Sequence, residues 1–168
     1  RKAAYGTVSL TEKAGLFENL DVLSSPVHSP LPLTMDELGQ PSGFVLYSTQ
    51  LRGSFTGEHK LSLDGLHDRA LIYVDGALRG IQESFRPRHD DVILSFDREH
   101  APRLDLLVEN MGRVNFGRHI GEHKGLTGVR VGQVHHSGWD CRPLPLVDLS
   151  GLPFAGAAPG QPTFFRGS

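Results

Sequence analysis

Glycine and proline recur along the whole chain, 20 and 11 times in 168 residues, and cut it into short apolar runs. Neither residue is well tolerated inside a helix, so punctuation this dense leaves no room for long helices. Short runs joined by turns are the pattern of an all-β domain. The spacing predicts strands at residues 5–10, 43–50, 70–74, 78–82, 91–96, 103–109, 128–134, 139–143 and 163–165. The clearest hairpin joins Leu71-Ile72-Tyr73-Val74 to Ala77-Leu78 through Asp75-Gly76. That pair suits a type I′ turn, whose two central residues need positive φ. Apolar residues nearly fill residues 103–108, which predicts a strand buried on both faces.

Helix signals are confined to single turns. Thr34-Met35-Asp36-Glu37-Leu38 followed by Gly39 has Thr34 placed as N-cap, Glu37 three residues on and Gly39 as the stop. A second short turn is expected over residues 15–23. The stretch from Pro143 to Pro162 is rich in Pro, Gly and Ala and poor in charge, and reads as a connector.

Composition narrows the partners. Seventeen Lys and Arg face 19 Asp and Glu, so no field favours nucleic acid or anionic lipid. No run of about 18 apolar residues exists to span a membrane as a helix. The lone Cys141 cannot close an intramolecular disulfide. No G-x-G-x-x-G, P-loop or G-x-S-x-G pattern occurs, and no cofactor is expected. The chain starts without an apolar leader and stops within an apolar stretch, PTFFRGS, so both ends are expected to continue in a longer polypeptide.

Residues able to carry chemistry are few, and most have a structural reading. Glu109 adjoins an apolar strand and is expected to be a buried acid paired with an Arg rather than a catalytic carboxylate. Asp90-Asp91, beside Arg88 and His89, reads as solvated turn charge. His119 and His123 have a spacing that would align two imidazoles on a helix, but a glycine intervenes and no motif positions a third ligand, so no metal is expected. His67 and His135-His136 read as surface or hydrogen-bonded histidines. Trp139, Phe116 and Tyr73 offer rings on which a sugar face stacks, with core packing the expected role of Trp139 and Tyr73. Arg113 follows the buried strand, where its five-donor fork suits either a structural bond to a carboxylate or a ligand contact.

These residues also carry a resemblance. Leu106 to Gly117, LLVENMGRVNFG, resembles the LVENMGRVNYG segment of family-35 β-galactosidases. Tyr5-Gly6-x-Val8-x-Leu10 is similar to that family's YGxVxL strand. Residues 32–40 with Gly43-Phe44-Val45-Leu46-Tyr47 resemble its PLTxExLxQxYGFVLY. His67-Asp68-Arg69-Ala70 with Val74-Asp75-Gly76 and Gly80 resemble HDRAxVxxDGxxxG. Lys124-Gly125-Leu126 matches FKGL with His123 in place of Phe, and Phe164-Phe165-Arg166-Gly167 resembles FYxG.

The resemblance implies a jelly-roll β-sandwich of galactose-binding-domain-like type and an enzyme whose catalytic glutamates lie in a preceding (β/α)₈ barrel. Residues 1–24 would lead in from that barrel, 25–143 form the sandwich, and 144–168 connect to a second one. Whether the two chain ends pair with each other as the start of that second sandwich is left open. The chain would itself be non-catalytic, packing on the barrel and contributing to its pocket for β-galactosides. The family's tyrosine on the pocket wall falls at Phe116, which keeps the ring and lacks the hydroxyl, while Arg113 and Asn115 would hold the loop. An independent carbohydrate-binding module, suggested by Trp139, and an oligomerisation domain are the alternatives.

Overall fold

A computed structural model describes residues 2–3, 6–53, 55–85, 91–97 and 101–167. Two compact units are present, Ser24–Val147 and a smaller one made of Arg1–Leu23 with Asp148–Ser168.

The larger unit is built of two antiparallel sheets. The six-stranded sheet has the order β2-β11-β3-β8-β5-β6. Its strands are Val27–Ser29 (β2), Trp139–Leu144 (β11), Gly43–Gln50 (β3), Arg103–Asn110 (β8), Arg69–Val74 (β5) and Ala77–Glu83 (β6). The second sheet has the order β10-β9-β4-β7, from Val134–His135 (β10), Gly128–Val131 (β9), Gly57–Asp64 (β4) and Ile93–Phe96 (β7). Alternate residues Val45, Tyr47, Ile72, Val74, Leu104, Leu106 and Val108 of the first sheet join Leu61, Leu94, Phe96, Val129 and Val131 of the second in one buried cluster. Side chains two apart share a face, so one face of each sheet builds that core and the sheets stack as a sandwich. The fold is all-β, as expected.

Local chemistry explains most strand ends. Asp75 and Gly76 take φ of 49° and 76°, and the Val74↔Ala77 pair closes the expected hairpin. In β8, Leu104, Asp105, Leu106, Leu107 and Val108 are all buried, matching the expected two-sided burial. The buried Asp105 carboxylate is satisfied by Ser48 Oγ at 2.5 Å and by Arg103 Nε at 2.9 Å. The Thr34–Glu37 capping box forms: the Thr34 amide donates to Glu37 Oε2 at 2.8 Å and the Glu37 amide to Thr34 Oγ1 at 3.2 Å. The segment stays a turn, with Gly39 at φ 66°.

In the smaller unit, β1 (Leu10–Gly15) pairs antiparallel with β12 (Thr163–Gly167), from Leu10↔Gly167 to Gly15↔Thr163. A 3₁₀ turn at Phe17–Asn19 and a short helix α1, Leu20–Leu23, follow β1 and supply the expected helical turn. The expected strand at residues 5–10 is a correction. Tyr5 lies outside the described residues, and residues 6–9 are not strand. Strand structure needs a ladder partner, and β12 reaches only as far as Leu10. Val8 and Leu10 of the apolar run are 64% and 63% exposed.

Two more corrections concern the second sheet. The single strand expected at 128–134 is a hairpin, broken at Gly132 (φ 60°) so that Val131 pairs with Val134. The whole of β4 was unexpected. Its sequence GEHKLSLD is mostly polar, yet residues 57–60 pair with β7 and 61–64 with β9.

Candidate functional site

The segment Met111 to Gly121 leaves the end of β8, and every residue in it is exposed. Four of these are large apolar side chains: Met111, Val114, Phe116 and Ile120, with Phe116 at 89% exposure.

The base of this loop is held firmly. β8 ends between β3 and β5, with Gly43↔Asn110 and Arg69↔Glu109 as last pairs. The ladder runs one step further through side chains. The Asp68 amide donates to Glu109 O at 2.9 Å, and the Met111 amide donates to Asp68 Oδ2 at 2.8 Å. Asn110 Oδ1 accepts from the Gly112 amide at 2.9 Å while its Nδ2 donates to Pro41 O at 2.9 Å. Arg113 Nη2 donates to Asp36 Oδ1 at 2.7 Å, tying the loop to the capped turn. That guanidinium holds the Asp36 carboxyl below the usual carboxylate range, helped by His123.

Beneath the loop lies Lys124, 1% exposed. Its Nζ donates to Asp68 Oδ1 and Oδ2 at 2.8 and 3.0 Å and to Glu122 Oε1 at 2.6 Å. The second Glu122 oxygen is 3.5 Å from His67 Nε2. Burial pulls the ammonium's pKa down, but the hydrogen bonds it donates to Asp68 and Glu122, with their charges, outweigh that and the net shift is upward. An open hollow of about 290 Å³ is lined by cluster and loop together: Asp68, Glu122, Lys124, Met111, Arg113 and Val114 among others.

The next residues anchor the cluster to the core. The Met35 amide donates to Lys124 O at 2.8 Å. Buried Tyr47 donates its hydroxyl to Leu33 O at 2.7 Å and accepts from the Leu126 amide at 3.3 Å. Gly125 between them sits at φ 103°, where a Cβ would overlap the Tyr47 hydroxyl. Only glycine fits both the backbone and the space.

The other candidates resolve one by one. Trp139 is 1% exposed, with Nε1 donating to His136 O at 3.0 Å, and Tyr73 is equally buried, so neither presents a ring face to a sugar. Glu109 is ion-paired with Arg69 as expected, but it is half-buried at the end of β8 rather than buried. Asp91 pairs at the surface with Lys60 at 2.7 Å, while Arg88, His89 and Asp90 lie outside the described residues. His123 reaches Asp36 Oδ2 at 3.3 Å, and His119 accepts from Arg118 Nε at 3.1 Å. His67 is hydrogen-bonded to Gly65 O at 3.2 Å, and His136 is buried at 5% exposure. Among the described residues no three of His, Cys, Asp or Glu gather as a metal site would require.

Of the loop residues singled out by sequence, Phe116 stands at the tip, Arg113 braces the base, and Asn115 is exposed between them. Sequence reasoning missed Asp68, Glu122 and Lys124 as a unit. The HDRA and KGL motifs named two of the three residues but gave no sign that 56 positions apart they share an ion pair. Both carboxylates are committed to the one ammonium.

Known proteins similar to this chain are β-galactosidases. Residues 32–145 match the family model described as "Beta-galactosidase, first all-beta domain". The chain is 39% identical over 152 residues to the β-galactosidase of Bos taurus, covering 88% of this chain and 23% of the relative. It is 43% identical over 129 residues to that of Homo sapiens, covering 74% and 18%. With "Beta-galactosidase 1" of Dictyostelium discoideum the identity is 35% over 164 residues, covering 88% and 24%. The chain therefore spans about a quarter or less of the length of these relatives. The matched residues cover the sandwich from β3 to β11 and its exposed loop, and the chain belongs to the family of the first all-β domain of β-galactosidases.

Proposed function

We propose that this chain is a non-catalytic sandwich domain of a retaining β-galactosidase, of jelly-roll, galactose-binding-domain-like type. It docks on a (β/α)₈ catalytic barrel and lends one wall to the substrate pocket. In the whole enzyme, terminal non-reducing β-D-galactosyl residues would be removed with retention. Two barrel carboxylates about 5–5.5 Å apart would perform that chemistry, one as nucleophile and one as acid/base. In the same reading the paired chain ends, β1 with β12, begin a second sandwich.

The observation that supports this reading is the braced loop 111–121 with Phe116 uncovered at its tip. An isolated domain gains nothing from holding a phenyl ring in water. Covering such a ring is worth about 1.5–3 kcal/mol, so it belongs against a partner or a sugar face. Arg113 and Asn115 keep the loop in its docked position. An independent sugar-binding module loses support because Trp139, its candidate platform, is buried.

The test is Phe116→Ala in the whole enzyme. The expected result is a fall in kcat/KM for a chromogenic β-galactoside, on the order of tenfold or more for 1.5–3 kcal/mol of lost contact, with the domain still folded. Kinetics identical to wild type would overturn the pocket-wall role.

A further inference from the structure

A buried ammonium is an expensive way to fill space. Each charge must give up its water, and well-packed apolar replacements of whole ion clusters are often neutral or stabilising. Lys124 nonetheless commits its ammonium to Asp68 and Glu122 while 1% exposed. What those two carboxylates hold is informative. Asp68 Oδ2 also receives the amide of Met111, the first residue of the exposed loop. Glu122 directly follows the exposed Gly121, and its own side chain is 15% exposed. One ammonium therefore grips both ends of an 11-residue exposed segment, 111 to 121.

We infer that Lys124, acting through Asp68 and Glu122, is the positioning residue that sets where the loop presents Phe116. The inference rests on the proposed role of the loop and adds the residues that aim it. Lys124 touches no substrate. Displacing a contact by about 1 Å is enough to cost up to ~10²-fold in rate, so the effect of a loosened clamp is measurable.

The experiment is a double-mutant cycle in the whole enzyme with Phe116→Ala, Lys124→Met and the pair, reading KM and kcat on a chromogenic β-galactoside. Lys124→Met is expected to raise KM several-fold while changing kcat less. In the Phe116→Ala background it is expected to add almost nothing, because the ring it aims is gone. A merely structural lysine would give effects that multiply, and that outcome overturns the inference. A Lys124→Met enzyme with wild-type KM overturns it too. A silent Phe116→Ala instead overturns the pocket-wall reading itself.

A readout independent of activity is hydrogen exchange in the same enzymes, where Lys124→Met should speed the Met111 and Gly112 amides and leave β8 protected. Unchanged exchange there counts against the clamp even if the pocket-wall reading stands. Should Lys124→Met fail to fold, Asp68→Asn and Asp68→Ala replace it. Asparagine keeps an acceptor for the Met111 amide, so KM is expected to stay nearer wild type in Asp68→Asn. Equal KM in the two variants overturns the inference.

Discussion

Tyr47→Phe removes a single oxygen that joins the sandwich core to the two segments under the loop. The ring is fully buried and stays in place, so no cavity larger than a hydroxyl is made. Two backbone groups lose their partner: the Leu33 carbonyl, bonded at 2.7 Å, and the Leu126 amide, at 3.3 Å. Leu126 is fully buried and its amide suffers the full desolvation penalty, whereas Leu33 is half-buried and its carbonyl is partly relieved by water. At ~1–3 kcal/mol for a stranded buried group, and the lower end for the relieved one, the loss should be roughly 2–4 kcal/mol. Urea unfolding of the 168-residue chain measures it. With m near ~2 kcal/mol per molar, the midpoint should fall by about 1–2 M at unchanged m. A fall below ~0.3 M would show that Leu33 and Leu126 find other partners and that the hydroxyl is not the tie described. Burial also raises the Tyr47 phenol well above its ordinary pKa, so its phenolate band should appear in an alkaline titration only as the chain unfolds.

Gly125→Ala combines φ of 103° with a Cβ overlapping the Tyr47 hydroxyl, and should destabilise by roughly 1–3 kcal/mol; a midpoint within error of wild type refutes it. His136 is buried against Phe55, and burial, then the charge of His135, lowers its pKa. Its unfolded form binds the proton more readily, so stability should be complete above about pH 6.5 and fall below it, by at most ~1.4 kcal/mol per pH unit. His136→Phe should flatten the fall between pH 6.5 and 5 in thermal melts, and an equally steep variant would exclude His136 as the cause. Cys141 is fully buried and burial raises its thiol pKa, so a thiol reagent should modify it only at the rate of unfolding; fast labelling of the native chain would contradict that burial.

How much was legible in the sequence depended on the range of the interaction. The Asp75-Gly76 hairpin, the Thr34–Glu37 box and the double burial of β8 are written in residues a few positions apart, and each appears as expected. The family resemblance also lies in contiguous words, and the match over residues 32–145 bears it out. β4 was illegible because only Leu61 of its eight residues is fully buried, so the alternation that marks a strand is faint. β1 lay further along than its apolar run suggested because its limit is set by β12, more than 140 residues away in sequence. The loop was visible as a motif, and Phe116, Arg113 and Asn115 could be picked from it. Its anchoring was not. Asp68, Glu122 and Lys124 are ordinary charged residues in sequence, and only folding, by burying the ammonium between the carboxylates, makes them one unit. Propensity and turn chemistry act within a few residues and so determined the all-β class. Pairing register and buried charge act through space between distant residues, so tertiary structure alone decided which strands meet and what holds the loop.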